Sequence, residues 1–240
     1  MPRTLCTLTM HVGPVLCVRW SYSGRLLASG SDDGLVMIWD LDPSGAGRVF
    51  GEEEEEALRR LAGHESDVSD LAWSPQDRYL ASGSVDGTVI VWDGYSFDRV
   101  ARLTGQQGFV KGVCWDPVGQ YLPTQSDDKT VRIWRTTDWG LKRLVDQPFP
   151  LSPAATFFRC PSWSPDGAHI TAANAMNGPV FVAAVISRKE WTSDISLVGH
   201  ENTVEVANPH LFVRDESKPV DSHNICSVLA LGSDDRSMSI

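Results

Sequence analysis

Hydrophobic and polar residues alternate in short runs along most of the chain, and the pattern is clearest between residues 63 and 93. There, an alternating run from Val68 to Trp73 and a second run from Tyr79 to Ser82 are followed by the apolar residues of Val89–Trp92. Period-two alternation bounded by turn residues predicts short antiparallel strands. The Asp86-Gly87 pair before the last run is typical of a tight hairpin, because glycine readily adopts the positive φ that such a turn requires.

The same polar residues recur at fixed offsets in three successive segments. His64 precedes Asp86 by 22 residues, Asp86 precedes Trp92 by 6, and Ser82 lies 4 residues before Asp86. The three predicted structural quartets are His11, Ser29, Asp33 and Trp39; His64, Ser82, Asp86 and Trp92; and Gln106, Thr124, Asp128 and Trp134. Because glutamine can both donate and accept hydrogen bonds, we expect the third quartet to be weakened rather than lost.

Repeats of about 40 to 45 residues with Gly-His and Trp-Asp pairs resemble those of the WD40 β-propeller, which has four strands per blade. The resemblance predicts that residues 1–240 are all-β and form part of one propeller. The repeats are placed approximately at 10–62, 63–104, 105–150, 151–198 (degenerate) and 199–240 (truncated, ending one residue before its expected tryptophan). We therefore predict an incomplete WD40 propeller with about four to five blades of a seven-bladed ring.

Composition limits the possible classes of function. The formal net charge is −10, from 21 Lys and Arg against 31 Asp and Glu, and the basic residues are scattered. This argues against nonspecific nucleic-acid binding and leaves room for a basic partner. The five cysteines lack metal-site spacing, so we expect buried thiols, no metal site and no cofactor. The absence of a long apolar run and of a signal core predicts a soluble intracellular protein.

Ser82, His64 and Asp86 are the residue types of a catalytic triad, but we predict no catalytic site. A serine nucleophile needs an exposed hydroxyl and an oxyanion hole. Recurrence of the same residues in successive repeats favours a structural role, and in the WD40 family they form a buried network. Such a network makes the fold rigid when every member is satisfied. A propeller enzyme would also need a further cluster of histidines and carboxylates, which the sequence lacks.

Several segments resemble one particular family. Val110-Lys111-Gly112, Trp134–Trp139 and Ala175–Asn177 are unusual for generic WD repeats and are similar to the propeller of the HIRA family of histone chaperones, which about 5–240 resembles. The resemblance implies a nuclear, chromatin-associated scaffold that acts in replication-independent nucleosome assembly and transcriptional regulation. It also implies docking of a ubinuclein-like subunit and an indirect link to histones H3 and H4, without membrane association or sequence-specific nucleic-acid binding.

Two features leave alternatives open. The acidic insertion at 43–57 contains the consecutive glutamates Glu52–Glu56 and is either a solvated loop tip or an acidic lure for histone tails. Asp32, Asp127 and Asp234 precede the turn aspartates of their repeats, and we expect them to be exposed. They are either ordinary turn residues or part of an acidic docking face for a basic partner.

A generic WD40 adaptor, such as a ubiquitin-ligase substrate receptor, is the alternative function. Such receptors often carry Trp-Asp-x-Arg, whereas Asp42, Tyr95 and Thr137 occupy the position of the arginine here, which counts against this alternative.

Three further residues carry structural expectations. Trp139 and Trp191 should pack between blades rather than form exposed anchors. Pro123 lies in the second predicted strand of the third repeat. Because proline cannot donate to a ladder, we expect this strand to be distorted or bulged there.

Overall fold

The computed structural model describes residues 7–40, 59–153, 160–213 and 225–240. In these residues the strands form five separate antiparallel sheets, and the only helical element is a 3-10 turn at Pro75–Asp77. Four sheets have four strands in chain order, and the fifth has three. The prediction of an incomplete all-β propeller is confirmed.

The strands are numbered in chain order, and each sheet is one blade. The first blade contains β1 (Val15–Trp20), β2 (Leu26–Ser31), β3 (Leu35–Asp40) and β4 (Arg59–Ala62). The second contains β5 (Val68–Trp73), β6 (Tyr79–Ser84), β7 (Val89–Asp93) and β8 (Arg99–Leu103). The third contains β9 (Val110–Val113), β10 (Tyr121–Ser126), β11 (Val131–Arg135) and β12 (Leu141–Val145). The fourth contains β13 (Ser162–Trp163), β14 (His169–Asn177), β15 (Val180–Ser187) and β16 (Ile195–Val198). The fifth contains β17 (Val204–Val213), β18 (Ile225–Ser233) and β19 (Met238–Ser239).

The hairpin between β6 and β7 shows why these residues form strands. Pairing runs without a break from Tyr79 opposite Asp93 to Gly83 opposite Val89. Gly87 has φ of 78° and donates its N–H to the carbonyl of Ser84 at 3.1 Å. The Asp-Gly turn therefore sets the register that places the apolar residues of both strands on the buried faces.

Apolar side chains fill the space between successive blades. Ile38 of the first blade shares one hydrophobic cluster with Leu71 and Trp73 of the second. Val91 of the second blade shares another with Trp115, which follows β9 in the third. Burying a side chain of this size stabilises the folded state by about 1.5–3 kcal/mol relative to exposure. The stability of each blade therefore depends on its neighbour.

Hydrogen bonds also join successive blades near the first strand of each blade. Trp73 Nε1 donates to the carbonyl of Arg19 at 3.2 Å, and Trp115 Nε1 donates to that of Ala72 at 2.8 Å. Each of these tryptophans thus bonds to the first strand of the preceding blade. Repetition of the contact keeps a constant spacing between successive blades.

Pro123 lies in β10 without distorting it. β10 pairs with β11 in continuous register from Tyr121 to Gln125. The carbonyl of Pro123 accepts a hydrogen bond from Cys114 N–H at 3.1 Å, so the side of the residue that lacks a donor faces β9. β9 ends at Val113, whereas the corresponding strand β5 extends to Trp73. The prediction was wrong because the missing donor shortens the neighbouring strand instead of distorting its own.

Two segments of the chain depart from the regular repeat, the acidic insertion and the fourth repeat. The predicted acidic insertion at 43–57 lies outside the described residues. The fourth repeat, predicted to be degenerate, forms all four strands of a blade. In the described ranges, no helix is long and apolar enough to cross a membrane.

Candidate functional site

Each polar quartet joins the connection that precedes a blade to the central hairpin of that blade. In the second blade, Trp92 Nε1 donates to Ser82 Oγ at 2.9 Å, and Ser82 Oγ lies 2.8 Å from His64 Nε2. His64 Nδ1 lies 3.0 Å from Asp86 Oδ2. The first blade repeats this network with distances of 2.8, 2.8 and 3.0 Å along Trp39, Ser29, His11 and Asp33.

One arrangement of protons satisfies the network in the second blade. An indole N–H can only donate, so Ser82 Oγ accepts from Trp92 and donates its own proton to His64 Nε2. His64 then donates from Nδ1 to Asp86, which selects this tautomer. Burial lowers the pKa of His64, and the neighbouring Asp86 carboxylate opposes this effect only in part. The imidazole is therefore neutral at neutral pH.

The turn aspartate accepts most of the hydrogen bonds in the quartet. Asp86 accepts from the N–H of Thr88 at 2.8 Å, from its hydroxyl at 2.7 Å, and from the N–H of Glu65 at 3.0 Å. Burial alone would raise the pKa of Asp86, but hydrogen bonds from Thr88, Glu65 and His64 outweigh it and hold the pKa below its ordinary value. The same bond from a backbone N–H ties Val12 to Asp33, Gln107 to Asp128 and Glu201 to Asp235 at 2.9–3.0 Å.

The third quartet contains the same residues as predicted but has fewer bonds. Trp134 Nε1 and Gln106 Nε2 both donate to Thr124 Oγ1, at 3.0 and 2.5 Å. Gln106 Oε1 is buried and has no hydrogen-bond partner in the described part of the chain. Asp128 Oδ2 lies 3.4 Å from Arg132 Nη2 instead of receiving an imidazole N–H. Since a buried unpaired acceptor costs about 1–3 kcal/mol, we infer that this quartet stabilises its blade less than the other two.

The fifth blade contains a further network that the spacing analysis missed. His200 Nδ1 lies 3.1 Å from Asp235 Oδ2, and His200 Nε2 lies 2.9 Å from Ser239 Oγ. The buried Leu231 occupies the position of the usual hydroxyl residue. The offset from His200 to Asp235 is 35 residues rather than 22, so a search at the fixed offset does not find it. The pairs Gly199-His200 and Asp234-Asp235 were the available signal.

The three aspartates predicted to be exposed differ in their surroundings. Asp32 and Asp234 are exposed, and Asn202 Nδ2 donates to Asp234 at 3.2 Å. Asp127 is half-buried and lies 2.9 Å from the ammonium of Lys111, which is itself buried on β9. The prediction of exposure was therefore wrong for Asp127, because a cation from the innermost strand approaches its carboxylate.

Aromatic residues in the loops at the opposite end of the blades pack between neighbouring blades. Trp139 makes edge contacts with Tyr79 at 5.4 Å and with Trp115 at 6.2 Å between ring centroids. Trp191 makes a similar contact with Tyr121 at 5.1 Å. The prediction that these tryptophans pack between blades is confirmed. The residues at the corresponding positions, Phe97, Trp139 and Trp191, all have φ of 57–61°.

The geometry of the quartets does not favour catalysis. Ser82 is completely buried, and its hydroxyl oxygen already contacts Trp92 and His64. The side chain of His64 is 1% exposed, so a substrate cannot reach it without unfolding of the loop. In the described residues no group of three or more His, Cys, Asp or Glu side chains is placed to hold a metal ion. The arrangement fixes the fold and presents its loops.

The sequence of the chain matches the model of a known protein family. Residues 2–218 match the CAF1B/HIR1 β-propeller domain. The chain belongs to this family. The resemblance seen in the sequence is therefore confirmed.

Individual relatives are similar along the whole chain. The protein HIR1 of Cryptococcus neoformans var. neoformans serotype D is 58% identical over 246 residues, covering 100% of this chain and 28% of the relative. The protein HIR1 of Mycosarcoma maydis is 56% identical and covers 99% and 24%. The protein hir1 of Schizosaccharomyces pombe is 45% identical and covers 100% and 26%. The chain thus spans about a quarter of the length of these relatives.

A solved structure supports the fold alone. The structure of U3-55K is similar with a TM-score of 0.65 at 17% identity, covering 83% of this chain and 56% of that one. At this level of identity, the similarity concerns the fold and not the function.

Proposed function

We propose that this chain is the propeller of a non-catalytic WD40 scaffold in a HIRA-type histone chaperone complex. The complex would act in the nucleus, in replication-independent nucleosome assembly and transcriptional regulation. The family match over residues 2–218, with 58% identity to a protein named HIR1, carries the proposal. A ubiquitin-ligase receptor is not favoured by this match, and the sequence lacks the arginine that such receptors often carry.

The quartets of the first and second blades, in which every member is hydrogen-bonded, support a scaffold rather than an enzyme. Their hydroxyl and imidazole groups are consumed by bonds within the blade, as at Ser82 and His64. A fully satisfied buried network makes its surroundings rigid. Rigid blades hold the exposed loops at fixed positions, which suits the docking of other subunits.

Docking of a basic segment would use the end of the blades that carries the quartets. Asp32 and Asp234 are exposed there, each next to a turn aspartate. The carboxylate of Asp127 is paired with Lys111, so it would contribute less. We infer that a ubinuclein-like subunit docks here through basic residues, while histones H3 and H4 associate through other subunits.

Purification from nuclear extract tests the proposed complex. The gene that encodes this chain is tagged at its own locus, and the purified material is quantified by mass spectrometry against an untagged strain. We expect enrichment of histones H3 and H4 together with a ubinuclein-like subunit. Enrichment of ubiquitin-ligase subunits without histones would show that the chaperone assignment is wrong.

A double substitution tests the docking face separately. Asp32→Asn with Asp234→Asn should reduce recovery of the ubinuclein-like subunit. Asp98→Asn is the matched control, because Asp98 is an exposed aspartate at the other end of the blades. Unchanged recovery in the double variant would reject this face while the chaperone assignment stands.

A further inference from the structure

A groove opens at the end of the blades opposite to the quartets. It lies between the second and third blades and is formed by three loops: the β5–β6 loop, the β9–β10 loop and the β11–β12 loop. Its volume is about 540 Å³. This volume falls within the range of roughly 300–1,000 Å³ that is typical of ligand pockets.

The groove is lined by both polar and apolar groups, and the apolar groups form one part of its wall. The apolar part contains Pro75, Pro117, Tyr79 and Trp139. Trp139 is held by its edge contact with Tyr79 at 5.4 Å. Val118, also in the lining, is 67% exposed. An aromatic contact that is already formed lowers the cost of ordering side chains when a ligand binds.

The only charged side chain in the lining is Arg78. Its guanidinium carbon lies 5.2 Å from the centre of the Tyr79 ring, and in the described residues it makes no ion pair within 4 Å. The equivalent residue of the first blade, Arg25, pairs with Asp40 through two contacts of 3.1 and 2.7 Å. The second blade has a carboxylate at the corresponding position, Asp93, but no contact within 4 Å forms. Hydrogen bonds from the N–H groups of Ser96 and Tyr95 are the main cause of the lowered pKa of Asp93, and the charge of Arg78 contributes to it.

The surrounding carboxylates are already engaged. Asp93 accepts the N–H groups of Tyr95 and Ser96, each at 2.9 Å. Asp77 accepts the N–H groups of Tyr22 and Ser23 in the first blade. Asp138 is held by two nitrogens of Arg135 at 2.9 and 2.8 Å. In a protein with a net charge of −10, the groove therefore has a cation without an ion pair within 4 Å in the described residues and no anion in its lining.

Uncharged polar side chains also line the same groove. Gln76 and Thr137 line the groove, are exposed and have no side-chain hydrogen bond in the described residues. Gln76 is held with φ of 62° and ψ of 19°, which fixes the rim of the β5–β6 loop. An extended peptide leaves its backbone groups free to bond with such side chains, whereas a helix satisfies its own and is about 10–12 Å wide.

We propose that this groove binds a short extended peptide of a partner protein that carries a carboxylate next to an apolar side chain. The carboxylate pairs with the guanidinium of Arg78, and the apolar side chain packs between Pro75, Pro117 and Val118. Recognition of nucleic acid is disfavoured, because one arginine on a strongly acidic chain cannot supply the clustered charge that phosphate binding requires. The inference is independent of the chaperone proposal.

A peptide selection on the purified 240-residue chain tests the site. A random 12-residue peptide library displayed on phage is selected on the immobilised protein, and enriched peptides are synthesised and titrated by fluorescence polarisation. We expect an apolar residue next to Asp or Glu in the enriched peptides. Arg78→Gln should weaken binding at least about tenfold, which corresponds to about 1.4 kcal/mol.

Matched variants separate the groove from general electrostatics. Arg143→Gln removes an exposed arginine of β12 outside the groove and should leave affinity unchanged. Val118→Glu places an anion in the lining and should abolish binding, while Arg78→Glu should favour peptides in which Lys replaces the acidic residue. Enrichment of no peptide, binding that survives Arg78→Gln, or binding only of phosphoserine peptides would each overturn the proposal. Self-association of the chain that Val118→Glu abolishes would overturn it as well.

Discussion

Replacement of Asp70 tests whether a buried carboxylate holds successive blades together. Asp70 lies on β5 of the second blade and is 3% exposed. Its Oδ1 accepts a hydrogen bond from Arg19 Nη2 of the first blade at 2.6 Å. Its Oδ2 accepts one from the N–H of Val113 in the third blade at 3.0 Å. One side chain therefore joins three blades.

The expected cost of Asp70→Ala follows from these two bonds. Loss of the acceptor leaves the buried N–H of Val113 without a partner, which costs about 1–3 kcal/mol. The ion pair with Arg19 adds at most about 1 kcal/mol, because the Arg19 side chain is 43% exposed and solvent screens it. We therefore expect a loss of about 1–4 kcal/mol in the free energy of unfolding. For a domain of this size, that corresponds to a decrease in melting temperature of roughly 2–16 °C.

Urea unfolding followed by tryptophan fluorescence measures this cost. Asp70→Asn keeps an acceptor for Val113 and should lose less than Asp70→Ala. Asp98→Ala, at an exposed position, should lie within about 0.5 kcal/mol of the unsubstituted chain. If Asp70→Ala is as stable as Asp98→Ala, the carboxylate does not join the blades and the reasoning fails.

The same position gives a pH dependence of defined sign. Burial raises the pKa of Asp70 above 3.8, against the lowering effects of Arg19 and of the N–H groups of Val113 and Leu71. The native state then binds the proton more tightly than the unfolded chain does. The stabilising contribution of Asp70 is therefore complete below pH 3.8 and falls as the pH rises toward the folded-state pKa. We therefore expect the free energy of unfolding of the unsubstituted chain, relative to that of Asp70→Asn, to fall as the pH rises from 3.8 toward the folded-state pKa. A relative free energy of unfolding that rises over this pH range would contradict a raised pKa for Asp70.

Three further predictions concern stability, each measured by urea unfolding. Asp86→Ala should destabilise by about 1–3 kcal/mol, because it removes the acceptor of the second quartet; Asp32→Ala, at the adjacent exposed turn position of another blade, should have little effect. Gln106→His should stabilise by up to about 1 kcal/mol, since an imidazole can bond to both neighbours as in the other quartets; a loss of stability contradicts this. Arg188 donates two hydrogen bonds of 2.9 Å to the buried carboxylate of Asp116. Arg188→Gln leaves this carboxylate without its cation and should lower the free energy of unfolding by about 3 kcal/mol. A decrease below about 0.5 kcal/mol would show that the ion pair does not stabilise the fold.

Features that repeat within one hairpin could be predicted from the sequence. Ser82, Asp86 and Trp92 lie on two paired strands and their turn, so their offsets are set by strand register alone. The quartets of the first three repeats could be identified for this reason. The fifth network escaped because extra residues separate His200 from Asp235, although the three-dimensional contact is kept.

Contacts between blades could not be predicted in the same way. The link from Asp70 to Arg19 and Val113 joins residues 51 and 43 positions apart in sequence, and no local pattern marks it. The burial of Asp127 depends on Lys111, which lies on a different strand of the same blade. Such contacts depend on the angle and spacing of whole sheets, which alternation and turn signals do not specify.

Comparison of equivalent positions indicates where partners would be recognised. In residues that recur from blade to blade, such as Asp86 and His64, the polar atoms already form hydrogen bonds within the fold. Few of their donors and acceptors are therefore available to a partner. Residues that break the repeat are free of this constraint. Arg25 is paired in its own blade, whereas Arg78 at the same position of the next blade is not. The departures from the repeat are therefore better candidates for recognition than the quartets that identify the fold.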